Sequence, residues 1–224
     1  MQKEPRSKRR RLEVFTGLII ILVGFSFIFA MLLDFDMGSP YSTLLDDLSY
    51  LSDHSLNQKI SAWAWLTTSF ITLVSIPFYL IVFHKKLKFL HYLNGLFLLG
   101  AAAGAFMIGL VGLELNQILT QDLVDGLEQA NEQMRIGILQ HFKEESFYTG
   151  IGGSSAALFT FGLGMTRFKV ARFPMVSTIL LMISGPMLIF FNWYNPEHIL
   201  KTAAMAGMMI GLIIFCVKLI NKGM

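Results

Sequence analysis

Lys8-Arg9-Arg10-Arg11, then the run VFTGLIIILVGFSFIFAMLL from Val14 to Leu33, then Asp34-Phe35-Asp36, is the stretch that decides the fold. A hydrocarbon core about 30 Å thick is crossed by a helix of roughly 20 apolar residues. The run is long enough to cross, and its flanks differ in sign. Basic flanks stay on the cytoplasmic side during insertion. The apolar run exceeds the core of a cleavable signal, and acidic residues follow it instead of a small-x-small cleavage site. The segment therefore reads as an anchor.

Working outward, the same grammar recurs. Further apolar runs are expected as spans at about 61–83, 89–113, 146–165, 174–192 and 199–220. Fourteen of the 18 Lys/Arg residues fall at the N-terminus, in the second-to-third link, in the fourth-to-fifth link and at the C-terminus. Thirteen of the 15 Asp/Glu residues fall in the other links. The segregation predicts an all-α, polytopic six-transmembrane-helix bundle with the N-terminus and C-terminus cytoplasmic. Trp63, Trp65, Tyr148, Trp193 and Tyr194 fall at outer ends, and Tyr79 and Tyr92 near inner ends, as amphipathic rings prefer. The 224 residues leave room for a single membrane domain over 1–224. The charged fraction of 15% is far below the quarter or so usual in soluble domains. The net charge of +3 is a sum over two opposite faces and does not argue for nucleic acid. A lone cysteine, Cys216, rules out an intrachain disulfide and a thiolate cluster within one chain.

The longest link, 114–145, carries Leu115, Leu119, Leu123, Leu127, Ala130, Met134, Ile138 and Phe142 at helical spacing, with Gly126 interrupting. It reads as an outer amphipathic segment, a helix or hairpin lying over the mouth of the bundle, with a lid or a docking surface for a partner as the alternative. Small residues mark three spans: Gly100-x-x-x-Gly104 in the third, Gly150, Gly153, Ala157 and Gly164 in the fourth, and Ala203-x-x-x-Gly207-x-x-x-Gly211 in the sixth. Close backbone approach drives helix association in lipid, so these three helices are expected to form the packed centre.

No charged residue lies mid-span, which argues against a carboxylate-based proton relay. His54, His141 and His198 all lie on the outer side and form a candidate metal set, although no pair has i, i+3 or i, i+4 spacing. Met205, Met208 and Met209, with Cys216, would suit copper(I), but flexible Met also fills apolar gaps, and no cofactor is expected.

Gly153-Ser154-Ser155-Ala156 resembles the Gly-x-Ser-Gly of rhomboid intramembrane proteases, with Ser155 as nucleophile. The histidine that family carries on its sixth helix is replaced here by Ala204, three residues before Gly207, and the resemblance stops there. As a whole, the chain resembles a bacterial family of small six-span proteins catalogued as a domain of unknown function. Leu51 to Trp65 matches a short polar outer helix, Phe78-Tyr79-Leu80 with His84 to Lys88 an aromatic-then-basic ending, and Phe173-Pro174 with Gly185 the start and body of the fifth span. The resemblance implies architecture and a bacterial cytoplasmic (inner) membrane, and carries no residue roles.

The expected function is non-enzymatic: binding of an apolar or lipid-like ligand, or service as an accessory subunit of a membrane complex. The candidate pocket lies between the third, fourth and sixth helices near Asn94, Ser154, Ser155 and Thr160. Expected partners are membrane lipids, and a second copy or another membrane subunit. The alternatives are an outward-opening intramembrane enzyme using Ser155 with His198 or a His-held metal, and a small transporter of neutral substrates.

Overall fold

The structure, a computed structural model, describes residues 6–35, 55–87, 89–120, 127–167, 175–194 and 198–222. Among them the chain is helical apart from a turn at Phe89. The helices are α1 (Arg6–Phe35), α2 (Ser55–Leu87), α3 (Leu90–Thr120), α4 (Leu127–Arg167), α5 (Met175–Tyr194) and α6 (His198–Lys222).

Each helix packs on its neighbour in sequence, and α6 returns to pack on α1, so the six form a closed ring. Four of them, α1, α2, α3 and α6, are long and apolar enough to cross a membrane, and α5 adds a shorter apolar stretch, Met175–Phe190. In α4 the corresponding stretch is diluted by Gly150, Gly152, Gly153, Ser154, Ser155, Gly162 and Gly164. Small residues lower mean hydropathy without adding charge, so this helix passes through the bundle on packing more than on hydrophobicity. The outer surface is apolar along its length. Phe15, Leu18, Leu22, Phe25, Phe29 and Leu32 form an exposed stripe on α1, and Phe70, Leu73, Val74 and Ile81 do so on α2. Continuous apolar faces of this extent are not kept in water; the protein is a multi-pass helical membrane bundle.

The segment 114–145, expected as a helix or hairpin over the outer mouth, is made of the ends of two long helices. α3 runs on to Thr120 and α4 begins at Leu127, so both helices continue past the membrane level as a helical hairpin. Val111, Leu115 and Ile136 form a small core of their own with Leu139, and Arg135 pairs with Glu114. Met134, Ile138 and Phe142, which share the helical spacing of Leu115, are exposed. The two helices pack through a different face of α4, because continuity with the span below sets its rotation. Leu123 and Gly126 lie outside the described residues. Likewise the polar stretch before the second span is the first part of α2 from Ser55 onward, and Leu51 to His54 lie outside the described residues.

The packed centre is also redistributed. α3 and α4 meet backbone to backbone: a Cβ on Gly104 would lie 2.8 Å from the Ser146 carbonyl oxygen and would collide with the Gly150 backbone. One on Gly153 would lie 2.6 Å from the Ala101 nitrogen. α6 is not part of this seam; its Gly207 and Gly211 face Ser184 and Leu181 of α5. The ring is closed at the basic end by Arg10, whose guanidinium donates to the Leu219 and Ile220 carbonyls at the end of α6 and pairs with Glu13. A cation at a helix C-terminus answers the carbonyls left without helical partners.

Candidate functional site

Inside the ring, at mid-span depth, lies a cavity of about 90 Å³ lined by α1, α2, α3, α4 and α6. By the measure that a water needs about 10–15 Å³ of such volume, it has room for several waters or one small molecule. Its walls differ. α1 and α6 contribute Ile20, Val23, Phe27, Met208 and Leu212, all apolar. α2 contributes Thr68, Thr72, Ser75 and Tyr79, at intervals of four, three and four, which is one face of a helix. Asn94 of α3 and Ser154 of α4 complete the polar side. No acidic, basic or histidine side chain lines the cavity among the described residues.

The hydrogen bonding of these groups sets what the site can offer. Thr68 Oγ1 donates to the Ala64 carbonyl at 2.8 Å, Thr72 Oγ1 to Thr68 at 2.7 Å and Ser75 Oγ to Thr72 at 2.6 Å. Ser154 Oγ donates to Gly150 at 2.8 Å. Each hydroxyl proton is thus given to its own helix, in the local pattern open to Ser and Thr, leaving oxygen lone pairs as acceptors. Asn94 Nδ2 donates to the Ala157 carbonyl and to Thr160 Oγ1, the latter at 3.1 Å. Thr160 Oγ1 donates onward to Ala156 at 2.7 Å. A carbonyl needs a donor, so the amide is oriented with nitrogen toward α4.

Tyr79 supplies the opposite character. Its ring stacks on Phe83, with centroids 4.9 Å apart, and tilts against Phe161 at 5.8 Å. The residue is 4% exposed and its hydroxyl has no hydrogen-bond partner among the described residues. A buried unpaired hydroxyl costs about 1–3 kcal/mol. The site is therefore a half-open, mainly apolar cavity bordered by acceptor oxygens, with a buried hydroxyl donor on one of its lining side chains.

Aromatic layers bound it along the bundle axis. Toward the acidic end Trp65 sits edge-on between Phe27 (5.6 Å) and Phe147 (6.0 Å). Toward the basic end Phe83, Phe161 and Phe215 contact one another at 4.8–6.0 Å.

Of the residues singled out from sequence, Asn94 and Ser154 line the cavity and Thr160 stands behind Asn94 as its hydrogen-bond partner. Ser155 does not line it. One residue on from Ser154 it is turned about 100° around the helix, and its backbone lies where a Cβ on Gly185 of α5 would touch its carbonyl, at 2.6 Å. Its hydroxyl is buried without a partner among the described residues. The Ser155 backbone therefore packs against α5. His141 is exposed on α4, the His198 side chain is outside the described ones, and His54 lies outside the described residues. No group of three His, Cys, Asp or Glu that could hold a metal occurs among the described residues.

The α2 stripe is missed by a search for charged or metal-ligating groups, although its signal stands in the sequence: neutral polar residues at helical period within an apolar run. The contributions of α1 and α6 depend on ring closure, which no local pattern announces. No family model matches the chain, and neither a curated protein nor a solved structure matches it.

Proposed function

We propose that the protein is a membrane-embedded receptor site for a small uncharged molecule, held in the cavity at the centre of the ring. The observation that carries this reading is the cavity itself, apolar on α1 and α6 and bordered on α2 by acceptor oxygens, with the Tyr79 side chain on its wall and the Tyr79 hydroxyl buried without a partner among the described residues. The ligand accepts one hydrogen bond from Tyr79 and donates to oxygens on α2, while its apolar part rests against α1 and α6. At about 90 Å³ the cavity is too small for a whole lipid, so the ligand is a compact molecule or the tip of a larger one. Catalysis finds no support at this site, because it contains no nucleophile paired with a base. Five helices of one chain line it, so a second copy or another subunit is not needed to complete it. The segregation of charge and the resemblance to a bacterial six-span family support a cytoplasmic membrane, basic end inward.

Tyr79→Phe tests the reading through two opposite effects. In the empty protein it removes an unpaired buried hydroxyl and raises stability by about 1–3 kcal/mol. In the loaded protein it removes one hydrogen bond of about 1 kcal/mol, roughly fivefold in Kd. Native mass spectrometry of protein extracted from its own membrane is expected to show a stoichiometric neutral adduct that is depleted in the variant. A bare mass for the wild type, or a variant less stable than the wild type when empty, refutes the proposal.

A further inference from the structure

The inward face of α2 is polar well beyond the cavity. Gln58, Ser61, Thr68, Thr72, Ser75 and Tyr79 are all buried, and with Trp65 they follow one another at intervals of three and four residues. At 1.5 Å per residue the series is about 31 Å long, the thickness of a hydrocarbon core at about 30 Å. The opposite face of the same helix, through Phe70, Leu73, Val74 and Ile81, is apolar and exposed.

Helix association does not explain the series. In the three hydroxyls at its centre, Thr68, Thr72 and Ser75, the protons bond within α2 and hold no neighbouring helix. A hydroxyl that does bridge, Ser69 to the Ala102 carbonyl of α3 at 2.8 Å, stands off the series. Both ends of the series carry a buried polar atom with no partner among the described residues, Gln58 Oε1 and the Tyr79 hydroxyl. Between those ends lies the cavity, and the aromatic layers of Trp65 and of Phe83, Phe161 and Phe215 stand on either side of it.

The geometry points to a route across the membrane for a small neutral polar solute, with the inward face of α2 as its wall, the cavity as its midway site and the two aromatic layers as its gates. The inference rests on the reading of the cavity as a ligand site. Acceptor oxygens repeated at helical period suit a solute rich in O–H or N–H donors, such as a polyol or a urea-type amide. Ions are excluded, since a charge taken into an uncharged mid-membrane site costs several kcal/mol. Pro77, between Ser75 and Tyr79, has no N–H to give to the carbonyl four residues back. The helix is therefore weakest where the basic-end gate must move.

The test uses the full-length protein in liposomes, with glycerol and urea as probes, followed by stopped-flow light scattering after an osmotic step. Reswelling several-fold faster than in protein-free vesicles is expected for at least one probe, with no dissipation of a sodium chloride gradient. Thr72→Leu is expected to bring the rate back to that of protein-free vesicles. Thr67→Leu serves as control: it lies on the exposed face of α2, its hydroxyl donating to the Trp63 carbonyl, and it leaves the rate unchanged. Trp65→Ala thins the acidic-end gate and raises the rate, a gain that misfolding does not produce. Wild type and Trp65→Ala both at the protein-free rate overturn the route. If the protein in those vesicles still carries its co-purified ligand, the binding reading survives alone. Flux with no ligand retained by any preparation upholds the route and removes the receptor.

Discussion

The α3–α4 seam and the inward face of α2 both bring polar atoms to the middle of a membrane, and they do so in opposite ways. Along the seam glycines remove the side chains, and backbone lies against backbone at Gly104–Gly150 and Gly153–Ala101. On α2 the side chains remain, but they are Thr, Ser and Tyr, and the hydroxyls of Thr68, Thr72 and Ser75 bond back to their own helix. The seam uses small residues to eliminate space. The α2 face uses short polar ones to border it. Small and polar residues are often grouped as the adhesive of membrane helices; in this ring the first kind glues, and the hydroxyls along α2 furnish an interior.

Substitutions can break this contrast, beginning with the seam. Gly104→Val drives a branched side chain into the backbone around Gly150 and Ser146, which cannot swing aside as a side chain could. Overpacking typically costs about 1–3 kcal/mol and occasionally more, and a backbone obstacle puts this case at the upper end. Loss of most folded protein on size-exclusion after mild heating in detergent is expected; an unchanged melting profile would show that the seam has slack. Asn94→Leu strikes where the two regions meet, since Asn94 both lines the cavity and donates to α4. Interhelical hydrogen bonds in membranes average about 0.6 kcal/mol and reach about 1.7, so a loss of about 1 kcal/mol is expected, together with weaker ligand retention. Stability lost with retention intact would assign Asn94 to the seam alone. The smallest effect belongs to Gly100→Ala. Although Gly100 shares the motif with Gly104, a Cβ there meets nothing within 4 Å. Helix propensity alone then favours the variant by up to about 1 kcal/mol, and a measurable destabilisation would mean that Gly100 packs against another molecule.

Much of this architecture is legible in the sequence, because burial in lipid writes itself as apolar length and as the sign of the flanking charge. The glycine spacing points to α3 and α4 but overstates the pair Gly100–Gly104, since the seam in fact pairs Gly104 with Ala101 on α3. Spacing of four selects a face only to within about 40°, and here the true face runs through Gly104 and Ala101, turned away from Gly100. The outer hairpin misleads for a related reason. Met134, Ile138 and Phe142 carry a helical period, but period does not say which side is buried, and the rigid continuation of α4 decides it. The Thr68, Thr72, Ser75 and Tyr79 face escapes because neutral hydroxyls scarcely lower the hydropathy of a span. A search for embedded charge passes over them; a search for polar periodicity within apolar runs does not.

Arg10 has a consequence for how the chain is made. It lies 209 residues from Leu219, the first of the two carbonyls it holds. At roughly 5–20 residues per second, its partners are synthesised on the order of ten to forty seconds after it. Until those partners are made the ring cannot close, so α6, the last of the six described helices to be synthesised, is the one that seals it.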